Sequence, residues 1–189
     1  LSSSIEIIKF LAVRSPMPFF PSLPEDAGVR KLWEVFNPEA HKGLQLFSRA
    51  FMRREGQLTA ADKEMIAAYV SQLNDSEYCF AGHSRVAVNL GTDPAVFEPL
   101  AESVDGAPVR EELKPLLKFV RILTLTPSRI TKADADAVLS AGWDEQSFHE
   151  AIIVCARFSM MNRITLGHGL AVDEERRAGD ALNMNYGAS

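Results

Sequence analysis

Only two cysteines occur in 189 residues, Cys79 and Cys155, too few for a disulfide framework. That scarcity suits a reducing compartment, where a disulfide would be transient and catalytic. Positive charge is also in short supply: 20 Lys and Arg stand against 25 Asp and Glu, for a formal net charge of −5. Beyond pairs such as Arg53-Arg54 and Arg176-Arg177 there is no basic cluster, which argues against non-specific nucleic-acid binding. No apolar run approaches the roughly 20 residues that span a bilayer. The N-terminal "IEIIKFLAV" is broken by Glu6 and Lys9 and has no small-x-small cleavage site, so it does not read as a signal peptide. A cytoplasmic protein with no membrane or nucleic-acid partner is the expectation. Strand-like alternation is almost missing as well, and that leaves helix.

What is present fits an all-α globular protein. Hydrophobic residues make up 47% and charged residues 24%, ordinary values for one domain or two intimately packed halves. "SPMPFFPSLPED" carries four prolines between Pro16 and Pro24, which forbids regular helix there. The reading is an extended arm over 1–27, anchored by Phe19 and Phe20 on the body or on a neighbouring subunit. A helical domain over 28–172 and a solvated tail over 173–189, with the ion-paired run "DEERRAGD", follow.

"VRKLWEVFN" and "LQLFSRAFMRR" show helical spacing. Thr59 and Asp62 resemble a capping box opening a helix over about 60–73, with Ile66, Tyr69, Val70 and Leu73 on its apolar face. Asp75 or Ser76 caps a helix running to about Leu90. Further helices are predicted over about 94–104 and 111–125, then a short one after Thr131. The longest follows Asp144 and reaches about Gly167. "LTAAD" and "ITKAD" each open a short helix followed by a longer one, a weak pseudo-repeat of helix pairs.

The chemistry-bearing stretch is "NDSEYCFAGH". Cys79 falls in the first turn of its helix, where unpaired N–H groups and the helix dipole favour a thiolate. Apolar neighbours such as Phe80 pull the other way. His83, four residues on, shares the helix face and can exchange a proton with the sulfur, directly or through water. On the preceding helix Glu64 lies on a face with Ala67, Ala68 and Ser71, small residues that let another helix approach. Each residue has a plainer reading: a core thiol, an ordinary histidine, a solvated glutamate. Zinc normally needs four ligands, and neither Cys155 nor the other histidines show spacing to complete a set, so no metal or other cofactor is expected.

Glu64, Ser76, Cys79 and His83 are spaced Glu-x11-Ser-x2-Cys-x3-His. This resembles the signature of the AhpD-like alkylhydroperoxidases, in the carboxymuconolactone decarboxylase superfamily, which reads Glu-x11-Cys-x2-Cys-x3-His. "LTLTPSRITKADADAVLSAGWDEQSFHEAIIVCARFSMMNRI" is similar to the second half of the peroxidase-related branch of that family. The resemblance runs from about Pro16 to Val172 and implies the AhpD-like helical fold. Ser76 departs from it, standing where the family has the resolving cysteine. A serine cannot form that disulfide, so the thiol matched to the family's reactive cysteine lacks its local resolving partner.

The resemblance implies a one-cysteine hydroperoxide reductase in antioxidant defence. Cys79 would attack the peroxide, and Glu64 with His83 would move the proton. Tyr78 would orient the relay, and Ser76 would bond the sulfur or cap the helix. An unidentified external thiol would reduce Cys79, or Cys155 if the fold or a neighbouring subunit brings it near; among Ile152, Ile153 and Val154, Cys155 reads more simply as core. Rival readings are a carboxymuconolactone decarboxylase-like lyase, which does not need the thiol, and a non-catalytic or sensing protein. Family members form dimers, trimers or hexamers, so a homo-oligomer is expected. Asn162 and Arg163 are candidates for polar contacts between the halves. His149 and His168 have no identifiable partner.

Overall fold

The computed structural model describes residues 18–172, and among these every regular element is helical. Eight α-helices follow in order: α1 Val29–Phe36, α2 Pro38–Met52, α3 Ala60–Leu73, α4 Glu77–Asn89, α5 Phe97–Glu102, α6 Leu113–Leu125, α7 Lys132–Ser140 and α8 Glu145–Gly167. The predicted helix over 94–104 is instead a 3-10 turn, Pro94–Val96, running into the short α5. Pro94 starts that turn, and a second proline, Pro99, falls within the first turn of α5, where a missing N–H costs nothing.

The helix starts follow local chemistry. Asn37 ends α1 and caps α2, its side chain accepting the Ala40 N–H, and Pro38 occupies the first helical position. Thr59 and Asp62 form the expected capping box, and Thr131 with Asp134 forms a second one at the start of α7. Both segments of the weak repeat therefore open with the same device. Asp144 caps α8 by accepting the Ser147 N–H at 2.6 Å.

Helix α3 is the axis of the fold. It packs on α2, α4, α5, α6 and α8, and every residue from Asp62 to Ser71 is buried. The predicted one-sided apolar face is thus only part of what is covered, because neighbours enclose the helix on all sides. Its polar residues must then find internal partners. Around α3 the core gathers Met52, Leu58, Ile66, Tyr69, Leu100, Leu116, Leu117 and Phe158, each side chain contributing about 1.5–3 kcal/mol by leaving water.

The described part of the arm lies over this body. Phe19 N–H donates to His168 O at 2.9 Å, and the Phe20 ring stacks on His168 with centroids 4.7 Å apart. Gly169, at φ +66°, gives the Phe19 ring its seat; a Cβ there would come within 2.6 Å of it. Leu23, Ala27, Leu32 and Leu170 form a small second cluster beside Tyr78 and Ile164. Residues 1–17 of the arm and the tail over 173–189 lie outside the described residues.

Candidate functional site

The turn between α3 and α4 sets the site. Asp75 N–H donates to Gln72 O at 3.1 Å and Ser76 N–H to Ser71 O at 2.8 Å, the paired bonds of a Schellman turn. Asp75, at φ +51°, takes the left-handed position usually held by glycine. The chain reverses within three residues, so Ser76 opens α4 directly beside the end of α3. Ser76 is the N-cap residue by position, yet its side chain makes no capping bond. Its hydroxyl instead lies 3.4 Å from Thr165 Oγ1 on α8.

Cys79 is the third residue of α4 and is buried, with Sγ 3.4 Å from the same Thr165 Oγ1. His83, one turn further along, is buried as well. Its Nδ1 lies 2.7 Å from Glu64 Oε2 across the α3–α4 interface, and its ring meets Phe158 edge-on with centroids 4.2 Å apart. The other Glu64 oxygen, Oε1, pairs with Arg53 Nη1 at 2.8 Å. Burial pushes the Glu64 carboxyl upward, but hydrogen bonds and charge from His83 and Arg53 outweigh it and hold it below the ordinary carboxylate range. Glu64 is therefore ionised, which makes His83 Nδ1 the donor. In the neutral ring Nε2 is then the acceptor. The result is a carboxylate-oriented imidazole one turn along α4 from Cys79.

A match to the carboxymuconolactone decarboxylase family spans residues 38–102, from the first residue of α2 to the last of α5. That match covers about a third of the chain, and the fold around it is AhpD-like. An uncharacterized peroxidase-related protein from Silicibacter sp. TM1040 is similar over 78% of this chain and 76% of its own, at 26% identity and a TM-score of 0.70. A second solved structure, the alkylhydroperoxidase AhpD core of an uncharacterized peroxidase-related protein from Ralstonia eutropha JMP134, shares the fold. It is 21% identical over 77% of each chain, again with a TM-score of 0.70. No curated protein matches the chain.

The matched segment supplies Arg53, Glu64, Ser76, Cys79 and His83, whereas Phe158 and Thr165 come from α8, beyond it. Thr165, Phe158 and Arg53 are the contributors that sequence reasoning missed. A signal for Thr165 exists: Phe158, Asn162 and Thr165 recur at helical spacing and are all buried, so they mark the inward face of α8. Arg53 gave no signal, because it is one of two adjacent arginines at the end of α2 and only packing selects between them.

Tyr78, expected to orient the relay, has its hydroxyl 2.9 Å from Val29 N, from which it accepts. It sits beside the small arm cluster. Cys155 is a core thiol, 3.2 Å from Thr124 Oγ1, and burial pushes its pKa up against a weaker opposing pull from Thr124, Ser159 and Arg163. It precedes Thr165 by ten residues on α8, about 15 Å of helix rise. The fold therefore keeps it out of disulfide reach of Cys79 within one chain. Asn162 bridges the halves, donating to Ser71 Oγ and accepting from Asn74 Nδ2, both at 3.0 Å. Arg163 does not; its Nη1 donates to Ser159 O within α8. His149 is exposed, and His168 stacks under Phe20. Among the described residues no cluster of His, Cys, Asp or Glu could hold a metal ion, and no helix is long and apolar enough to cross a membrane.

Proposed function

We propose that this protein reduces hydroperoxides, alkyl hydroperoxides included, with Cys79 as its single peroxidatic cysteine. The observation that carries this reading is the 2.7 Å Glu64–His83 bond one helical turn from the Cys79 thiol at the start of α4. Its place within the segment that matches the carboxymuconolactone decarboxylase family, in a fold shared with peroxidase-related proteins, supports it.

In this reading His83 Nε2 takes the thiol proton, and ionised Glu64 stabilises the imidazolium that forms. The Cys79 thiolate attacks the distal peroxide oxygen. The S–O bond forms as the O–O bond breaks, sulfur is oxidised to the sulfenic acid, and the alkoxide leaves as an alcohol by taking the proton from His83. With serine at position 76 and Cys155 about 15 Å of helix away from Thr165, an external thiol must complete the cycle. That thiol condenses with the sulfenic acid, releasing water, and a second thiol then frees Cys79. The protein acts in this way in antioxidant defence in the cytoplasm, as a homo-oligomer.

The test is a stoichiometric pulse of an alkyl hydroperoxide followed by sulfenic-acid trapping and mass spectrometry, on the parent protein and on Cys79→Ser. Fast trapping at Cys79, absent from the variant, is the expected result. Oxidation of Cys79 no faster than that of free cysteine would overturn the reading and leave a lyase or a non-catalytic protein on the same scaffold.

A further inference from the structure

The convergence of two α4 side chains on one α8 oxygen is not explained by the Glu64–His83 relay. Thr165 Oγ1 lies 3.4 Å from Cys79 Sγ and 3.4 Å from Ser76 Oγ, and it also donates to Asn162 O at 3.1 Å. All three side chains are buried, so solvent is a poor substitute for any of these bonds.

A threonine hydroxyl has one hydrogen and two lone pairs. With Cys79 as a thiol the count closes. Thr165 gives its hydrogen to Asn162 O, and its two lone pairs accept from the Cys79 S–H and the Ser76 O–H. Loss of the Cys79 proton breaks that arrangement, because a thiolate and an oxygen lone pair then face each other at 3.4 Å. Rotation of the Thr165 hydroxyl resolves the conflict. Its hydrogen turns from Asn162 O to the sulfur, while Asn162 O keeps its helical acceptor role within α8. Ser76 still donates to Thr165, which makes Thr165 a stronger donor toward the anion.

We infer that Thr165 is a catalytic residue of this site, a hydroxyl switch that accepts from the Cys79 thiol and donates to the thiolate. Ser76 drives that switch from behind. The inference rests on the peroxidase reading for its purpose but not for its test. It also explains what the serine at the resolving position does, since its hydroxyl serves the reactive sulfur through Thr165.

The experiment measures the alkylation rate of Cys79 by iodoacetamide across pH, with peptide mapping to separate it from Cys155, in the parent, Thr165→Val and Thr165→Ser. Valine keeps the shape and removes the hydroxyl; serine keeps the hydroxyl. In Thr165→Val the midpoint of the pH–rate profile is expected to move up by about one pH unit. Its oxidation by alkyl hydroperoxide at neutral pH should slow about tenfold, and Thr165→Ser should restore both. A Thr165→Val profile that superimposes on the parent's overturns the inference, as does a Thr165→Ser variant that behaves like valine. Circular dichroism and thermal melting establish that each variant folds, and Thr165→Ala takes the place of valine if that variant does not melt cooperatively. Since alkylation needs no peroxide, a parent that fails to react with hydroperoxide defeats the peroxidase reading while the alkylation profiles still decide the role of Thr165.

Discussion

Lys63 and Glu64 are consecutive, opposite in charge and both fully buried, yet each turns to partners on other helices. Lys63 Nζ lies 2.7 Å from Glu150 Oε2 on α8 and donates to the Phe51 and Arg54 carbonyls at 2.9 and 2.7 Å. Glu64 turns to His83 and Arg53. The ammonium fastens the carbonyl end of α2, where the helix dipole favours a cation. The loop held in this way delivers Arg53 to the carboxylate. One residue fixes the loop, and the next uses what the loop presents.

Replacing Glu64 by Gln removes the charge that orients His83 and that, in the proposed mechanism, stabilises its imidazolium. Oxidation of Cys79 by hydroperoxide should fall by about 10²-fold or more. Stopped-flow measurement of thiol loss checks this. A rate within about twofold of the parent would remove Glu64 from the mechanism.

Ser76→Cys should restore an internal resolving thiol. The pair would sit at i, i+3 across the helix start, close enough for a disulfide. After one peroxide pulse, mass mapping should find the 76–79 disulfide in place of the trapped sulfenic acid. Persistent trapping at Cys79 would show that the turn does not let the two sulfurs meet.

Cys155→Ala should leave Cys79 oxidation unchanged, because Cys155 lies in the core with its pKa raised by burial and its hydrogen bonds made to α6. The variant loses a small buried group and should be less stable by about 1 kcal/mol in urea. A large drop in peroxide turnover would show that Cys155 takes part, through a second copy of the chain.

Stability should decline on acidification because of Glu64 and Glu150. Burial pushes both carboxyls up, but His83 and Arg53 pull Glu64, and Lys63, Arg54 and Gln146 pull Glu150, below the ordinary carboxylate range. A carboxyl with a lowered folded-state pKa binds its proton more readily when unfolded. Its stabilisation is complete above the ordinary value and is lost as pH falls through the lowered one. Melting temperatures should therefore drop below about pH 4.5, and less steeply in Glu150→Gln, which is already destabilised at neutral pH by about 3–5 kcal/mol through the stranded Lys63. Equal acid slopes in parent and variant would contradict this account.

Much of the fold was legible in the sequence. Capping at Thr59 and Asp144, the order of the helices and the Glu64–Ser76–Cys79–His83 spacing all depend on relationships within a few residues along the chain. Such relationships repeat with the helix period or sit at fixed offsets from a cap, so residue type alone points to them.

Tertiary packing decided the rest. The covered back of α3, the selection of Arg53 over Arg54 for Glu64, the contact of Tyr78 with Val29 and the isolation of Cys155 depend on which helices meet. Thr165 reaches Cys79 across 86 residues of sequence. No local pattern encodes that meeting; it exists because α8 lays its inward face across the start of α4. The sequence by itself determined a thiol at a helix start with a histidine one turn on. Only the fold decided which oxygen stands against the sulfur and which charge holds the imidazole, because those atoms are brought together by burial and not by the chain.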